Sequence, residues 1–138
     1  MGFTAAKFHE LCNNKGSTLT LITTEAGHKF GGFTTISWDS SNSYKLDTRS
    51  FLFSIDLTTK YPIINSFGNG IYCGATYGPT FGNGHDIHVS DNSNANSASY
   101  VRSNHAYGVP VAANGNHSIL TGGNPNFKTT EVEVYLIQ

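Results

Sequence analysis

The stretch Ser50-Phe51-Leu52-Phe53-Ser54-Ile55-Asp56-Leu57 has the most regular hydrophobic pattern in the chain. Large apolar residues occupy every second position, Phe51, Phe53, Ile55 and Leu57, and alternate with mostly polar residues. A period of two is the spacing of side chains along one face of a β-strand. We therefore predict a strand in the middle of a sheet, with Phe51 and Phe53 as packing residues.

Further strand patterns lie on both sides of this segment. Alternation of apolar and polar side chains, or a short apolar run, occurs at residues 18–23, 29–38, 61–64, 71–73, 85–90 and 130–138. Asn69-Gly70 favours a tight hairpin turn, and Gly31-Gly32 indicates a bulge or a close approach of two backbones. Residues 39–48 and 91–99 are polar, and we expect both to be surface loops, the second one mobile.

One short helix is expected before the strands. Thr4 is a good N-cap, Phe8, Leu11 and Cys12 lie at helical spacing, and Gly16 follows as a stop signal. The seven or eight short strands show no internal repeat of fixed period. Together these patterns predict a mainly β fold, namely a two-layer antiparallel β-sandwich with one or two short flanking helices.

Length and composition limit the function. The 138 residues fit a single domain, residues 1–138. Eight basic against nine acidic residues give a net charge of −1, which argues against binding to nucleic acid. No apolar stretch reaches the ~20 residues needed to span a bilayer, and no signal peptide is visible. We expect a cytoplasmic protein without a membrane span, in which Cys12 and Cys73 are reduced and buried.

Four blocks of the sequence resemble the TLDc domain family in the same order. The first block runs from Phe8-His9-Glu10-Leu11-Cys12 to Trp38, and the second and fourth are Phe51-Leu52-Phe53-Ser54 and Glu131-Val132-Glu133-Val134. The third, Gly78-Pro79-Thr80-Phe81-Gly82-Asn83-Gly84-His85-Asp86-Ile87, resembles the glycine-rich signature of the family. The resemblance covers most of the chain.

This resemblance implies both a fold and a function. The fold would be two packed antiparallel sheets with flanking helices. The function would be that of a non-catalytic protein-interaction module, linked to protection against oxidative stress and to binding of the vacuolar proton-pumping ATPase. The family has more chain before the part that matches Gly2-Phe3. We therefore expect an exposed sheet edge that is available for self-association.

Calcium binding is an alternative interpretation. Asp86, Asp91, Asn92 and Asn94 place oxygen ligands close together in the sequence, as a calcium-dependent or lectin-like β-sandwich would require. An EF-hand loop does not fit, because Arg102 would stand where that loop needs glutamate. Any calcium site would therefore be assembled from loops at one end of the sandwich.

Other chemistry is less well supported by the sequence. On a strand, His85 and His88 would point to opposite faces, which disfavours a shared zinc ion. We interpret His85 and Asp86 as hydrogen-bonding partners of the backbone in the glycine-rich turn. No Gly-x-Ser-x-Gly elbow is present, and no catalytic residue is predicted.

A contact surface is the remaining hypothesis. Trp38 stands next to the polar segment 39–48, and Asp39 and Tyr44 lie within it, where they would be available to a protein partner. Packing in the core is the alternative for Trp38.

Overall fold

The computed structural model describes residues 2–102, 106–111 and 119–137. Within them the chain forms one α-helix, α1 (Ala5–Cys12), and one 3-10 turn, Phe67–Asn69. The strands are β1 (Thr18–Thr24), β2 (Lys29–Thr34), β3 (Ser43–Lys45), β4 (Phe51–Ser54), β5 (Thr59–Pro62), β6 (Ile71–Cys73), β7 (Thr80–Phe81), β8 (Ile87–His88), β9 (Ser99–Val101), β10 (Asn126–Phe127) and β11 (Thr129–Leu136). No described helix is long and apolar enough to cross a membrane.

The strands form two antiparallel sheets, as predicted. The first sheet has the order β11-β1-β2-β4-β5, and the second has the order β10-β9-β8-β7-β6-β3. Apolar side chains from both sheets share one core. The mainly β, two-layer architecture expected from the sequence is therefore confirmed.

Helix α1 begins and ends close to the predicted residues. The Thr4 side chain accepts a hydrogen bond from the Lys7 amide, 3.1 Å, which caps the first turn. Phe8 and Cys12 are buried, but Leu11, which shares their helical spacing, is 47% exposed. The helix therefore covers the core with a narrower apolar stripe than the sequence pattern indicates.

Strand β4 is the clearest correction to the sequence analysis. Leu52 and Ser54 point into the core, whereas Phe51 and Phe53 lie half-buried on the opposite face. There Phe51 stacks on the ring of Phe33 at 5.1 Å. The strand also ends before Ile55 and Leu57, which are exposed, and it lies next to the sheet edge rather than in the middle.

The core is built around Trp38, which is fully buried. Its ring makes edge-to-face contacts with Phe8 at 5.2 Å and with Phe81 at 5.4 Å. Phe81 in turn packs against Gly32, where a Cβ atom would come within 2.6 Å of the phenyl ring. The predicted close approach of two backbones is confirmed at Gly31, where a Cβ atom would collide with the backbone carbonyl of Thr20. The register between β1 and β2 runs through both glycines without a bulge.

Two turn predictions were wrong. Residues 39–48 contain strand β3, which pairs with β6. Asn69-Gly70 does not close a hairpin, because β5 and β6 belong to different sheets and the 3-10 turn lies between them. Period-two patterns locate strands but carry no information about which sheet each strand joins.

The polar segment 91–99 is held by specific hydrogen bonds. Ser93 is fully buried, and its hydroxyl lies 2.7 Å from that of Thr129. Asn96 accepts from the Ser90 hydroxyl and from the Ala98 amide. Only Ser93 and Ser99 of this segment are buried, and their hydroxyls have hydrogen-bond partners, while most of the segment is exposed as expected of a surface loop.

Candidate functional site

Six aromatic and imidazole rings come together on the outer face of the second sheet. We call them the histidine–tyrosine face, and they are Tyr44, Tyr72, Tyr77, His85, His88 and Tyr100. Tyr72 stands between buried Ile71 and Cys73, so it must point away from the core. Tyr100 stands in the same way between buried neighbours on β9. The face is therefore the outward half of strands whose inward half belongs to the core.

Strand register brings these rings into contact. Tyr44 pairs directly with Tyr72 across β3 and β6, with ring centroids 4.8 Å apart. His88 pairs with Tyr100 across β8 and β9, at 5.1 Å. His85 lies between these two pairs, 5.2 Å from Tyr72 and 5.7 Å from His88. All these spacings are within the favourable range for packed rings.

His85 and His88 lie side by side, which corrects the prediction of opposite faces. Their rings are nearly parallel, with an interplanar angle of 28°. The parity rule fails because His85 is not in the strand. It precedes β8, in a turn, with a left-handed φ of +70°. Two imidazoles supply fewer ligands than a zinc site needs, and no group of three or more metal-binding side chains occurs among the described residues.

Hydrogen bonds orient both imidazoles. His85 Nδ1 lies 3.0 Å from the Tyr100 hydroxyl, and His88 Nδ1 lies 3.0 Å from Thr80 Oγ1. The Thr80 hydroxyl donates its one proton to the Gly78 carbonyl, 3.1 Å away. His88 Nδ1 is therefore the donor to Thr80, and the neutral ring keeps its proton on Nδ1.

The face is electrically neutral at pH 7. Burial, and then the charge of His85, lowers the pKa of His88 to about 4. Burial, and then Arg102, lowers the pKa of His85. The Arg102 guanidinium lies over the Tyr100 ring at 4.8 Å and is the cation at this border of the face. The surface thus combines uncharged aromatic rings with polar tips.

The glycine-rich signature turn, residues 78–86, has mainly a structural role in this geometry. Gly82 and Gly84 have φ values of +92° and +73°, which favour glycine. A Cβ atom on Gly82 would also collide with the Asp86 carboxylate. The Pro79 carbonyl accepts a hydrogen bond from the Val89 amide at 3.0 Å. The turn fixes the position of His85 and thereby one ring of the face.

Asp86 and His85 both have hydrogen-bond partners outside the turn. The Asp86 carboxylate is fully buried and accepts hydrogen bonds from the amides of Ala106 and Tyr107, at 3.3 and 3.4 Å. His85 bonds the Tyr100 hydroxyl instead of the turn backbone. Both side chains therefore connect the turn to other segments.

The two carboxylates among the predicted calcium ligands, Asp86 and Asp91, accept hydrogen bonds from different backbone segments. Asp91 Oδ1 accepts the amide of Ala5 at the start of α1, 2.8 Å, while the Asp86 carboxylate binds other amides. Asn92 is in a turn with φ +54°, and Asn94 is exposed. Each carboxylate thus has backbone partners of its own.

Of the predicted contact surface, the structure places one residue in the face. Tyr44 belongs to it, and its hydroxyl accepts the Gly84 amide at 3.3 Å. The prediction of Trp38 as a contact residue was wrong, because Trp38 is fully buried and its Nε1 donates a hydrogen bond to Thr18 Oγ1. Asp39 pairs with Lys45 at 2.5 Å. Burial tends to raise the pKa of Asp39, but this pairing helps to lower it to about 2.

Most of the face was not predicted from the sequence, namely Tyr72, Tyr77, His88 and Tyr100. A signal was present, because Tyr72 alternates with Ile71 and Cys73 as an outward residue would. That pattern shows which way a side chain points, but not which strands lie next to each other.

The fold defines an antiparallel β-sandwich that carries an uncharged aromatic surface. The TLDc domain model matches residues 1–138, and the chain belongs to this family. A curated relative is the MTOR-associated protein MEAK7 of Danio rerio, 39% identical over 44 residues. The match covers 32% of this chain and 10% of that protein, so it spans about a tenth of the relative's length.

Proposed function

We propose that this chain is a non-catalytic protein-interaction module of the TLDc type, and that the histidine–tyrosine face is its docking surface. The observation that carries the proposal is the joining of six rings on one side of a sheet, five of them half-buried. Tyrosine and arginine are enriched among the residues that dominate binding energy in protein interfaces. Their rings supply large contact areas and lose little conformational entropy.

The state of the thiols supports a non-catalytic role. Cys12 and Cys73 are both free and buried. Burial raises the pKa of Cys12 and raises that of Cys73 to about 11. A thiol with a raised pKa is a poor nucleophile at neutral pH.

The finer proposal concerns the partner. By family resemblance, we propose that the module binds the vacuolar proton-pumping ATPase in the cytoplasm and acts in protection against oxidative stress. The zebrafish relative is named for association with MTOR, which makes an MTOR complex the second partner to test.

Binding of the purified chain to isolated vacuolar ATPase tests this proposal. We expect Tyr44→Ala to weaken binding roughly 30-fold, the effect of losing about 2 kcal/mol at an interface hot spot. Phe53→Ala is the matched control, because Phe53 is a half-buried aromatic on the outer face of the other sheet. It should leave affinity unchanged.

If Phe53→Ala weakened binding and Tyr44→Ala did not, the docking surface would lie on the first sheet instead. Failure of the unmodified chain to bind the ATPase would overturn the proposed partner. The same pair of variants on an MTOR complex would then test whether the face serves that partner. Thermal unfolding of both variants shows whether each remains folded.

A further inference from the structure

The described sheets differ in how well their edges are protected against pairing with another chain. Edge strand β5 contains Lys60 and Pro62, and edge strand β3 has three residues including Lys45. Edge strand β10 has two residues. Strand β11 has eight residues. Short strands, charged side chains (lysine above all) and proline are the usual protection against edge pairing. Strand β11 is long and has neither lysine nor proline, and its only charges are Glu131 and Glu133.

The outer side of β11 presents a regular row of backbone groups. The Ile137 amide donates to the Ser17 carbonyl, 3.0 Å, so the odd-numbered residues bond toward β1. In an antiparallel ladder the alternate residues bond to the other side. The amides and carbonyls of Val132, Val134 and Leu136 therefore face outward along this edge.

Exposed apolar side chains accompany this row. Tyr135, Leu136 and Ile137 are 46%, 54% and 42% exposed. Leu11 of α1 is 47% exposed and lines one groove together with residues 133–136. An occupant of this edge would gain apolar contacts as well as backbone hydrogen bonds.

We propose that the occupant is strand β11 of a second copy of this chain, antiparallel to the first and centred on Val134. In this register Val134 faces Val134 of the second copy, and Val132 faces Leu136. These are all residues whose backbone groups point outward, so the hydrogen bonds match. The two first sheets would form one continuous ten-stranded sheet.

Charge distinguishes this register from the one in which Val132 pairs with Val134. Centred on Val134, Glu133 lies opposite Tyr135 and Glu131 lies opposite Ile137, so no two glutamates meet. A shift that pairs Val132 with Val134 places Glu133 opposite Glu133, and like charges in direct opposition destabilise a ladder. Tyr135 already donates to Glu133 within the strand, 2.7 Å, and it can make the same bond across the two-fold axis.

The mass in solution tests the proposal, because it does not depend on the docking partner of the histidine–tyrosine face. Sedimentation equilibrium of the full chain, from about 1 μM to about 1 mM, covers the range of weak dimers. We expect the mass to rise from that of a monomer to that of a dimer and to stop there. A monomer throughout, or growth beyond a dimer, would overturn the proposal.

Two variants identify the register. Tyr135→Glu places a glutamate opposite Glu133 at both symmetric sites and should weaken the dimer about ten-fold. Adding Glu133→Lys to this variant places lysine opposite glutamate and should restore the dimer. In the shifted register the same double variant brings lysine opposite lysine and would weaken the dimer further, which would overturn the assignment.

A change on the other sheet edge is the control. Thr59→Glu adds the same charge to exposed strand β5 and should leave the dimer mass unchanged. If Thr59→Glu dissociates the dimer while Tyr135→Glu does not, the interface is at β5 and the proposal is wrong. Circular dichroism of each variant confirms that it is folded. ATPase binding is measured separately with Tyr44→Ala, so each proposal can fail alone.

Discussion

Two threonines on β1 show how much a single buried hydroxyl depends on its partner. Thr18 and Thr20 are both fully buried and lie two residues apart on the same face. Thr18 Oγ1 accepts the Trp38 Nε1 proton at 2.9 Å. Thr20 Oγ1 is buried without a hydrogen-bond partner within the described part of the chain. An unsatisfied buried hydroxyl costs free energy that a methyl group of the same shape does not.

We therefore predict opposite effects of the same substitution at these two positions. Thr20→Val should raise the free energy of unfolding by about 1 kcal/mol, because it removes the unsatisfied hydroxyl. Thr18→Val should lower it by about 1 to 3 kcal/mol, because it leaves the indole N–H of Trp38 without its acceptor. Urea unfolding of the two variants measures both. A loss of stability in both would contradict this account of Thr20.

At the scale of the element, strand β4 shows what a hydrophobic pattern predicts. The alternation of residues 51–57 located the strand but assigned its faces the wrong way round. The core side of β4 carries Leu52 and Ser54, while the larger phenyl rings lie outside. There Phe51 packs against Phe33, and the Lys60 ammonium lies 4.2 Å from its ring centroid. The outer face is stabilised by neighbouring strands, and a single strand's pattern does not contain those neighbours.

Strand β8 makes the stability of the fold depend on pH through His88. The unfolded chain takes up a proton at the ordinary imidazole pKa of 6.5, whereas burial, and then His85, lowers the folded pKa to about 4. Between these values the unfolded state binds more protons. The free energy of unfolding should therefore fall as pH decreases from 6.5 to about 4, by up to about 1.4 kcal/mol per pH unit.

Urea unfolding at several pH values measures this slope. His85 adds to it in the same direction, because burial and Arg102 lower its pKa. His88→Gln should reduce the slope, since it removes one of the two groups. Tyr44→Phe is the control, because it changes the same face without removing a histidine, and it should keep the slope. An unchanged slope in His88→Gln would show that His88 does not titrate as its burial requires.

At the scale of the whole molecule, the histidine–tyrosine face explains why the site was harder to predict than the fold. Antiparallel sheets, the first helix and the closing strand follow from local periodicity. The face joins Tyr44, Tyr72 and Tyr100, which are contributed by three segments far apart in the sequence. Their proximity depends on strand order, and strand order is decided by packing of the whole core. Only His85 and Tyr44 were identified beforehand, His85 from the signature and Tyr44 from its position in a polar segment.

Calcium dependence is also a property of the whole molecule, because ligands would have to converge from several loops. A calcium ion requires six to eight oxygen ligands. Asp91 is engaged by the start of α1 and Asp86 by the amides of Ala106 and Tyr107. Moving either carboxylate onto an ion would leave backbone amides without an acceptor. We therefore expect millimolar calcium to leave the melting temperature unchanged relative to chelator.

Differential scanning calorimetry in calcium, in magnesium and in chelator measures this expectation. An ion that binds only the folded state at 100 times its Kd would add about 2.7 kcal/mol to the free energy of unfolding, a rise of several degrees. Such a rise with calcium alone would contradict the prediction. Asp91→Asn would then test whether Asp91 is a calcium ligand, because the amide oxygen can still accept a hydrogen bond from the Ala5 N–H but carries no charge for calcium. Loss of the rise in this variant would place Asp91 among the ligands.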